Sequence, residues 1–209
     1  EDAGGAHGSN RLGGNGVANS TVYGGVAGDV MGADIRNMGA LRDPDEAVLE
    51  AEVARALRPL SNRIAPIQPL RDKLQEAMWE DVGVMRTETG MRRGQARIAD
   101  IQAELMETGI SGDNLAFNLT WHDWLNMASL CEISEVITEA GLARENSRGA
   151  HFREDFPESG SMESSYFTVA RQTGAELGVS REDVKFTIVR PGETILPEGE
   201  PISLVEAAE

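Results

Sequence analysis

The sequence predicts a mainly α fold, with a three-helix bundle at its centre and a small β extension behind it. Three observations predict it. Apolar residues recur at three- and four-residue spacing through 70–81, 91–107 and 120–142. Short turn-forming stretches join these segments, as antiparallel neighbours in a bundle require. Beyond residue 160 the period falls to two, in "SYFTVARQ" at 165–172 and "DVKFTIVRP" at 183–191, the alternation of strands.

Taken in order, residues 15–31 read as a helix capped by Asn15, with Val17, Tyr23, Val26, Ala27, Val30 and Met31 giving a broad apolar surface. Gly24, Gly25 and Gly28 each cost about 1 kcal/mol against alanine. Either another backbone approaches closely enough to compensate, or the helix breaks at Gly24–Gly25. Residues 44–58 form a second helix, with Pro44 in its first turn, acids early, and Arg55 and Arg58 late. Pro59, Pro66 and Pro69 punctuate a connector that reads as a domain boundary. In the bundle, Leu70, Leu74, Ala77, Met78 and Asp81 share helical spacing, and Ile98, Ile101 and Leu105 lie on one face of 91–107. After a turn at "SGDN", the helix over 120–142 is expected to turn Leu125, Ala128, Ile133, Val136, Ile137 and Ala140 inward. The two strands are separated by about ten residues, long for a tight hairpin, and 192–209 is acidic and loop-like.

With 209 residues, 40% of them apolar and 26% charged, the chain suits one globular domain or a domain plus part of another. The net charge of −16, from 35 acids and 19 bases, argues against nucleic acid, whose phosphates need Lys and Arg. It leaves room for a small anionic substrate held by one arginine. The single cysteine, Cys131, excludes an intrachain disulfide and an all-thiolate metal site, and points to a reducing compartment. Three scattered histidines supply no metal site, so none is expected. No apolar run nears the roughly 20 residues that span a bilayer, and no signal peptide is visible. A chain that starts at Glu1 inside a glycine-rich motif reads as the continuation of something upstream.

The chemistry concentrates in "EDAGGAHGSNRLGGNG" at 1–16. Gly13 and Gly14 let the backbone approach a ligand with no Cβ between. The helix starting near Gly16 offers free N–H groups and a positive dipole end, suited to a phosphate or to negative charge on a flavin ring. Arg11 stands just before it, placed to grip a carboxylate through two parallel hydrogen bonds. A glycine-rich turn alone fits a structural role equally well.

This segment resembles the "GE…HGANRLGGNS" region of the succinate dehydrogenase and fumarate reductase flavoprotein family. Two further stretches continue the resemblance in order: "MWEDVGVMRT" at 78–87, and "ENSRGAHFREDFPE" at 145–158, which carries Asn146 within the family's "ESRGAHFREDFPE". Together they cover most of residues 1–158. The resemblance implies that residues 1–43 close an α/β FAD-binding domain, that 44–65 is a helix and linker, and that 66–158 is the helical C-terminal domain, with 159–209 a β-containing extension. It implies FAD as cofactor, with Glu1 on its ribose region and Asn15, Gly16 and Val17 at the helix start beside the flavin. Arg11 falls at the arginine that binds a substrate carboxylate, and His7 and Asn10 would shape the loop. The stretch "GVANS" departs from the family's usual Ser-Leu or Ser-Ile, which touches substrate choice more than backbone contacts to FAD.

The implied activity is oxidation of succinate or reduction of fumarate by hydride exchange with FAD. Electrons would pass to an iron–sulfur subunit, with the membrane reached only through partner subunits, at the cytoplasmic inner face. The first dinucleotide-binding loop and the proton-transferring arginine of the family are not in this sequence, so the chain alone is expected to be inactive. L-aspartate oxidase or another dicarboxylate oxidoreductase of the family is the nearest alternative, and a non-catalytic helical interaction module the more distant one. The remaining motifs have plainer readings. "WEDVGVMR" reads as a helix end with Trp79 buried and its acids paired to arginine around Gly83. "SRGAHFRED" fits an anion site or, preferably, an ion-paired loop docking the helical domain on the flavin domain. His122 reads as a helix-start residue beside two half-buried tryptophans.

Overall fold

A computed structural model describes residues 7–40, 42–112, 114–174 and 176–194. Its helices begin where local chemistry satisfies their free amides. The Asp45 carboxylate accepts the Ala47 N–H at 3.0 Å and starts α2 (Glu46–Leu57). The Thr87 hydroxyl accepts from Gly90 at the start of α4 (Glu88–Glu107), and the Asn118 amide oxygen from Trp121 at the start of α5 (Leu119–Ala143). In α3 (Gln68–Asp81) Pro69 occupies the first turn, where its missing N–H costs nothing.

α4 packs on both α3 and α5. Leu70 and Leu74 from α3, Ile98, Ile101 and Leu105 from α4, and Trp124, Met127 and Cys131 from α5 form the core. Trp124 is fully buried, and its indole N–H is shared between the carbonyls of Leu105 (3.2 Å) and Thr108 (3.0 Å), so its one polar atom is satisfied where α4 ends. There β2 (Thr108–Gly109) pairs in parallel with β1 (Arg63–Ile64), tying the connector to the bundle. Asp81, buried at the end of α3, is paired with Arg93 and Arg97 of α4.

Several expectations are corrected. The buried stripe of α5 is Trp124, Met127, Ala128, Cys131, Ser134, Thr138 and Gly141, while Ile133 and Ile137 are exposed. Small and hydroxylic residues let α4 come close, and the Thr138 hydroxyl donates to the Ser134 carbonyl at 2.7 Å, so burial leaves it satisfied. Trp79 is 77% exposed rather than buried. The acids Glu80 and Asp81 do pair with arginine, but with Arg93 and Arg97 of α4; among the described residues Arg86 pairs with no acid, and its Nε donates to the Val82 and Gly83 carbonyls, both at 3.0 Å. His122 does open α5 and leans on Trp121, but of the two tryptophans only Trp121 is half-buried.

The first helix, α1 (Asn15–Asn37), runs unbroken through Gly24–Gly25 and buries none of its residues. Gly14, not Asn15, is its N-cap. No atom lies within 4 Å of the Cβ position of Gly24, Gly25 or Gly28, so the expected compensating approach is absent among the described residues. The β extension is a tight hairpin of β3 (Tyr166–Thr173) and β4 (Glu176–Asp183), with Thr173 opposite Glu176 and Gly174 at φ +63° opening the turn. The expected second strand at 183–191 is thus displaced. A tight turn fixes the register, and it recruits the polar segment directly after Gly174. The hairpin sits on the end of α5, where Arg144 and Arg181 flank the Tyr166 ring at 4.6 and 4.7 Å. No helix among the described residues is long and apolar enough to cross a membrane.

Candidate functional site

The glycine-rich loop ends in a conformation that selects glycine. Gly14 has φ +83°, in the left-handed region, and turns the chain into α1. The Asn15 N–H donates back to the Leu12 carbonyl (3.3 Å), and that of Val17 to Gly14 (3.2 Å). Among the described residues the Gly16 N–H has no acceptor, so the first turn keeps an open amide at the positive end of the helix. Arg11 folds over this end; a Cβ on Gly16 would lie 2.7 Å from its Nη1. Its guanidinium is exposed and, among the described residues, makes no hydrogen bond or ion pair.

Arg11, Asn15, Gly16 and Val17 are therefore brought together, while Glu1 lies outside the described residues. Gly8, Gly13 and Gly14 have nothing within 4 Å of their Cβ positions and present bare backbone. An open amide, a helix N-terminus and an arginine with no partner among the described residues, beside bare backbone, fit a flat, anionic group such as FAD. Among the described residues no group of three or more His, Cys, Asp or Glu could hold a metal ion.

Residues His7–Asn10 also form one wall of a cleft of about 810 Å³, whose other walls are the turn at 147–151 and the hairpin. Arg144 lines it, with Tyr166, Val184 and Phe186, which the sequence offers only as strand residues. The only sequence signal for Arg144 is its place just after the last turn of α5.

The turn is built from "SRGAHFRED". Arg153, 1% exposed, grips Asp155 through two hydrogen bonds (2.7 and 2.8 Å) and donates to the Gly141 and Leu142 carbonyls at the end of α5 (3.0 and 3.1 Å). The Arg153 guanidinium holds the Asp155 carboxyl down at about 2. His151 accepts from Arg86 at Nδ1 (2.8 Å) and donates from Nε2 to the Arg144 carbonyl (3.1 Å), which assigns the neutral Nε2–H tautomer. Burial first, then the charges of Arg86, Arg144 and Arg153, push its pKa below the usual histidine value. Arg148 donates to the Ser159 carbonyl (2.6 Å) and the Ser165 hydroxyl (2.9 Å). These groups are committed to holding loops together, and the turn touches the glycine-rich segment where Ala150 N–H donates to the Ser9 carbonyl at 3.2 Å. That bond is where the motif meets the segment expected to belong to the flavin domain.

The family model described as "Fumarate reductase flavoprotein C-term" matches residues 71–196, more than half of the chain. One chain of the fumarate reductase (CoM/CoB) of Methanothermobacter marburgensis is 33% identical over 76% of this chain and 28% of its own length. L-aspartate oxidase 1 of Ralstonia nicotianae is 31% identical over 74% of this chain and 27% of its own. A solved chain of the Mycobacterium smegmatis Sdh1 complex in the apo form superposes with a TM-score of 0.82 at 27% identity, covering 89% of this chain and 32% of that one. The chain thus spans about a quarter to a third of the length of these relatives. By sequence and by fold, it belongs to the fumarate reductase and succinate dehydrogenase flavoprotein family, of which it carries the C-terminal region.

Proposed function

We propose that this chain supplies one wall of the active site of an FAD-dependent dicarboxylate oxidoreductase that oxidises succinate or reduces fumarate. The observation that carries the reading is Arg11: an exposed guanidinium without a partner among the described residues, folded over the open Gly16 amide in a glycine-rich loop. Bound there, FAD would supply the acceptor or donor of a hydride at one substrate carbon. Asn15, Gly16 and Val17 would line its edge through the helix start, and Glu1 would hold its ribose region. Arg11 would clamp a substrate carboxylate with two parallel hydrogen bonds and orient the reacting carbon. In this reading residues 1–43 finish the FAD domain, 44–65 link it to the helical domain at 66–158, and 159–209 extend that domain. An iron–sulfur subunit would take the electrons, and the assembly would sit on the cytoplasmic face of a membrane through its partners.

The 31% identity to an L-aspartate oxidase supports a second reading, in which the dicarboxylate is L-aspartate; Arg11 serves both. Rates with succinate, fumarate and L-aspartate on the full-length protein separate them. In that protein Arg11→Lys loses the two-pronged grip and is expected to cost roughly 2–4 kcal/mol in kcat/KM with flavin content unchanged. An unaltered kcat/KM removes Arg11 from the site. The 209-residue chain alone is expected neither to turn over a dicarboxylate nor to hold FAD tightly. Quenching of flavin fluorescence at low micromolar chain would refute that.

A further inference from the structure

Among the described residues, 7–40 make few polar links to the rest of the chain. Among the described residues, one hydrogen bond makes the link, from the Ala150 N–H to the Ser9 carbonyl. Ser9 stands two residues before Arg11. The donor belongs to a turn with no play in it: Arg148 and His151 exchange backbone hydrogen bonds (2.8 and 3.0 Å), and Ser147 is bonded to Glu158, Phe156 and Arg153. His151 ties the same turn to Arg86, at the entry to α4, and to Arg144, at the end of α5.

Gly149 is where this rigid turn meets the loop. Its φ is +55°, and a Cβ there would stand 2.3 Å from the Ser9 carbonyl oxygen and 2.9 Å from the Asn10 Cβ. The obstructing atoms are mostly backbone, so a side chain at 149 must push the loop away. Asparagine tolerates positive φ, but its Cβ would meet the same atoms.

We infer that Gly149, with the Ser147–His151 turn behind it, is the positioning element for Arg11: the helical bundle sets the location of the substrate-binding arginine through this contact. The inference rests on the assignment of Arg11 above. Placement of a reacting group is steep in distance, and a shift of about 1 Å costs on the order of 10²-fold in rate.

The test uses the full-length FAD-loaded enzyme and whichever of succinate, fumarate and L-aspartate it turns over. Gly149→Ala and Gly149→Asn should each lower kcat/KM by about 10²-fold, with flavin absorbance retained. Arg148→Lys, which loosens the turn without adding atoms against Ser9, should lose about tenfold on the same reasoning and keeps the test alive if the position-149 variants do not fold. A purely structural role would leave the decisive readout unmoved: in an Arg11→Lys background neither change should lower kcat/KM by more than about twofold, because the group being positioned is gone. Gly174→Ala, at a positive φ with open space around it, should reduce stability and leave kcat/KM as it was. Full additivity with Arg11→Lys, or recovery of wild-type rate in Gly149→Asn, overturns the inference. If Arg11→Lys itself has no effect, the underlying site assignment fails instead. An impaired Arg11→Lys beside an unimpaired Gly149→Ala defeats only the positioning role.

Discussion

Replacing Arg153 with methionine keeps most of the side chain's volume and removes its charge and all its donors. The variant takes the arginine from two carbonyls of the last turn of α5 and from the Asp155 carboxylate, which keeps the Glu88 N–H, and it loses the stacking of the guanidinium on Phe156, 4.8 Å from the ring centre. Breaking a buried pair by removing one member costs about 3–5 kcal/mol. Asp155 remains 30% exposed and can turn to water, which sets the expectation at the low end, about 3 kcal/mol. Part of that depends on pH. A carboxyl held at about 2 in the fold and near 3.8 when unfolded stabilises fully above its unfolded value, and loses that as pH falls through its folded value. The difference is worth about 2 kcal/mol. Urea unfolding of both proteins, followed by tryptophan fluorescence, should show a gap of about 3 kcal/mol near pH 6, narrowing by about 1–2 kcal/mol near pH 2.5. A gap below about 1 kcal/mol at neutral pH, or one indifferent to acid, would refute the reasoning.

Trp124→Phe keeps the aromatic bulk but strips the shared donor from the Leu105 and Thr108 carbonyls, so unfolding free energy should fall by about 1–3 kcal/mol; a neutral result in urea would show that water replaces the indole N–H. His151, whose folded pKa is depressed, stabilises the fold fully above about pH 6.5 and loses stability as pH falls from there through its folded value. His151→Gln should flatten the stability profile over that window, and the imidazole signal should titrate below the ordinary histidine value by NMR. Ala128→Leu, on the packed stripe of α5, should destabilise by about 1–3 kcal/mol through overpacking, whereas Ile133→Ala on the exposed side should stay within about 0.5 kcal/mol.

What the sequence makes legible follows from how local each determinant is. Caps and prolines act within a few residues, so the helices are readable to within a turn, and the α4 face of Ile98, Ile101 and Leu105 is found because its opposite side is charged. α5 offers no such contrast. It is apolar on several sides, and the choice between Ile137 and Thr138 depends on how near α4 approaches, which no spacing within α5 encodes. The hairpin misleads for a related reason: "DVKFTIVRP" alternates better than "ELGVSRED", yet a two-residue turn decides pairing before alternation can. Trp79 reads as buried on hydrophobicity alone, and its solvent-facing position depends on neighbours distant in sequence. At the candidate site, the glycines and Arg11 stand together in the chain and are read directly. The buttress behind them, Gly149 against Ser9, joins segments far apart in sequence, and only the fold brings it into view.

The bond between Arg86 and His151 spans 65 residues, and that between Glu88 and Asp155 spans 67. Most other packing joins helices consecutive in the chain, or strands joined by a turn. Such local pairs close quickly, whereas long loops pay their closure entropy before any contact rewards it. These two long-range bonds are therefore expected to set after the three helices have found one another. Time-resolved folding should show this as a low φ-value at His151: removing its bond to Arg86 would speed unfolding and barely slow refolding. The turn that presents Gly149 to the loop would then be among the last parts of the molecule to form and among the first to open.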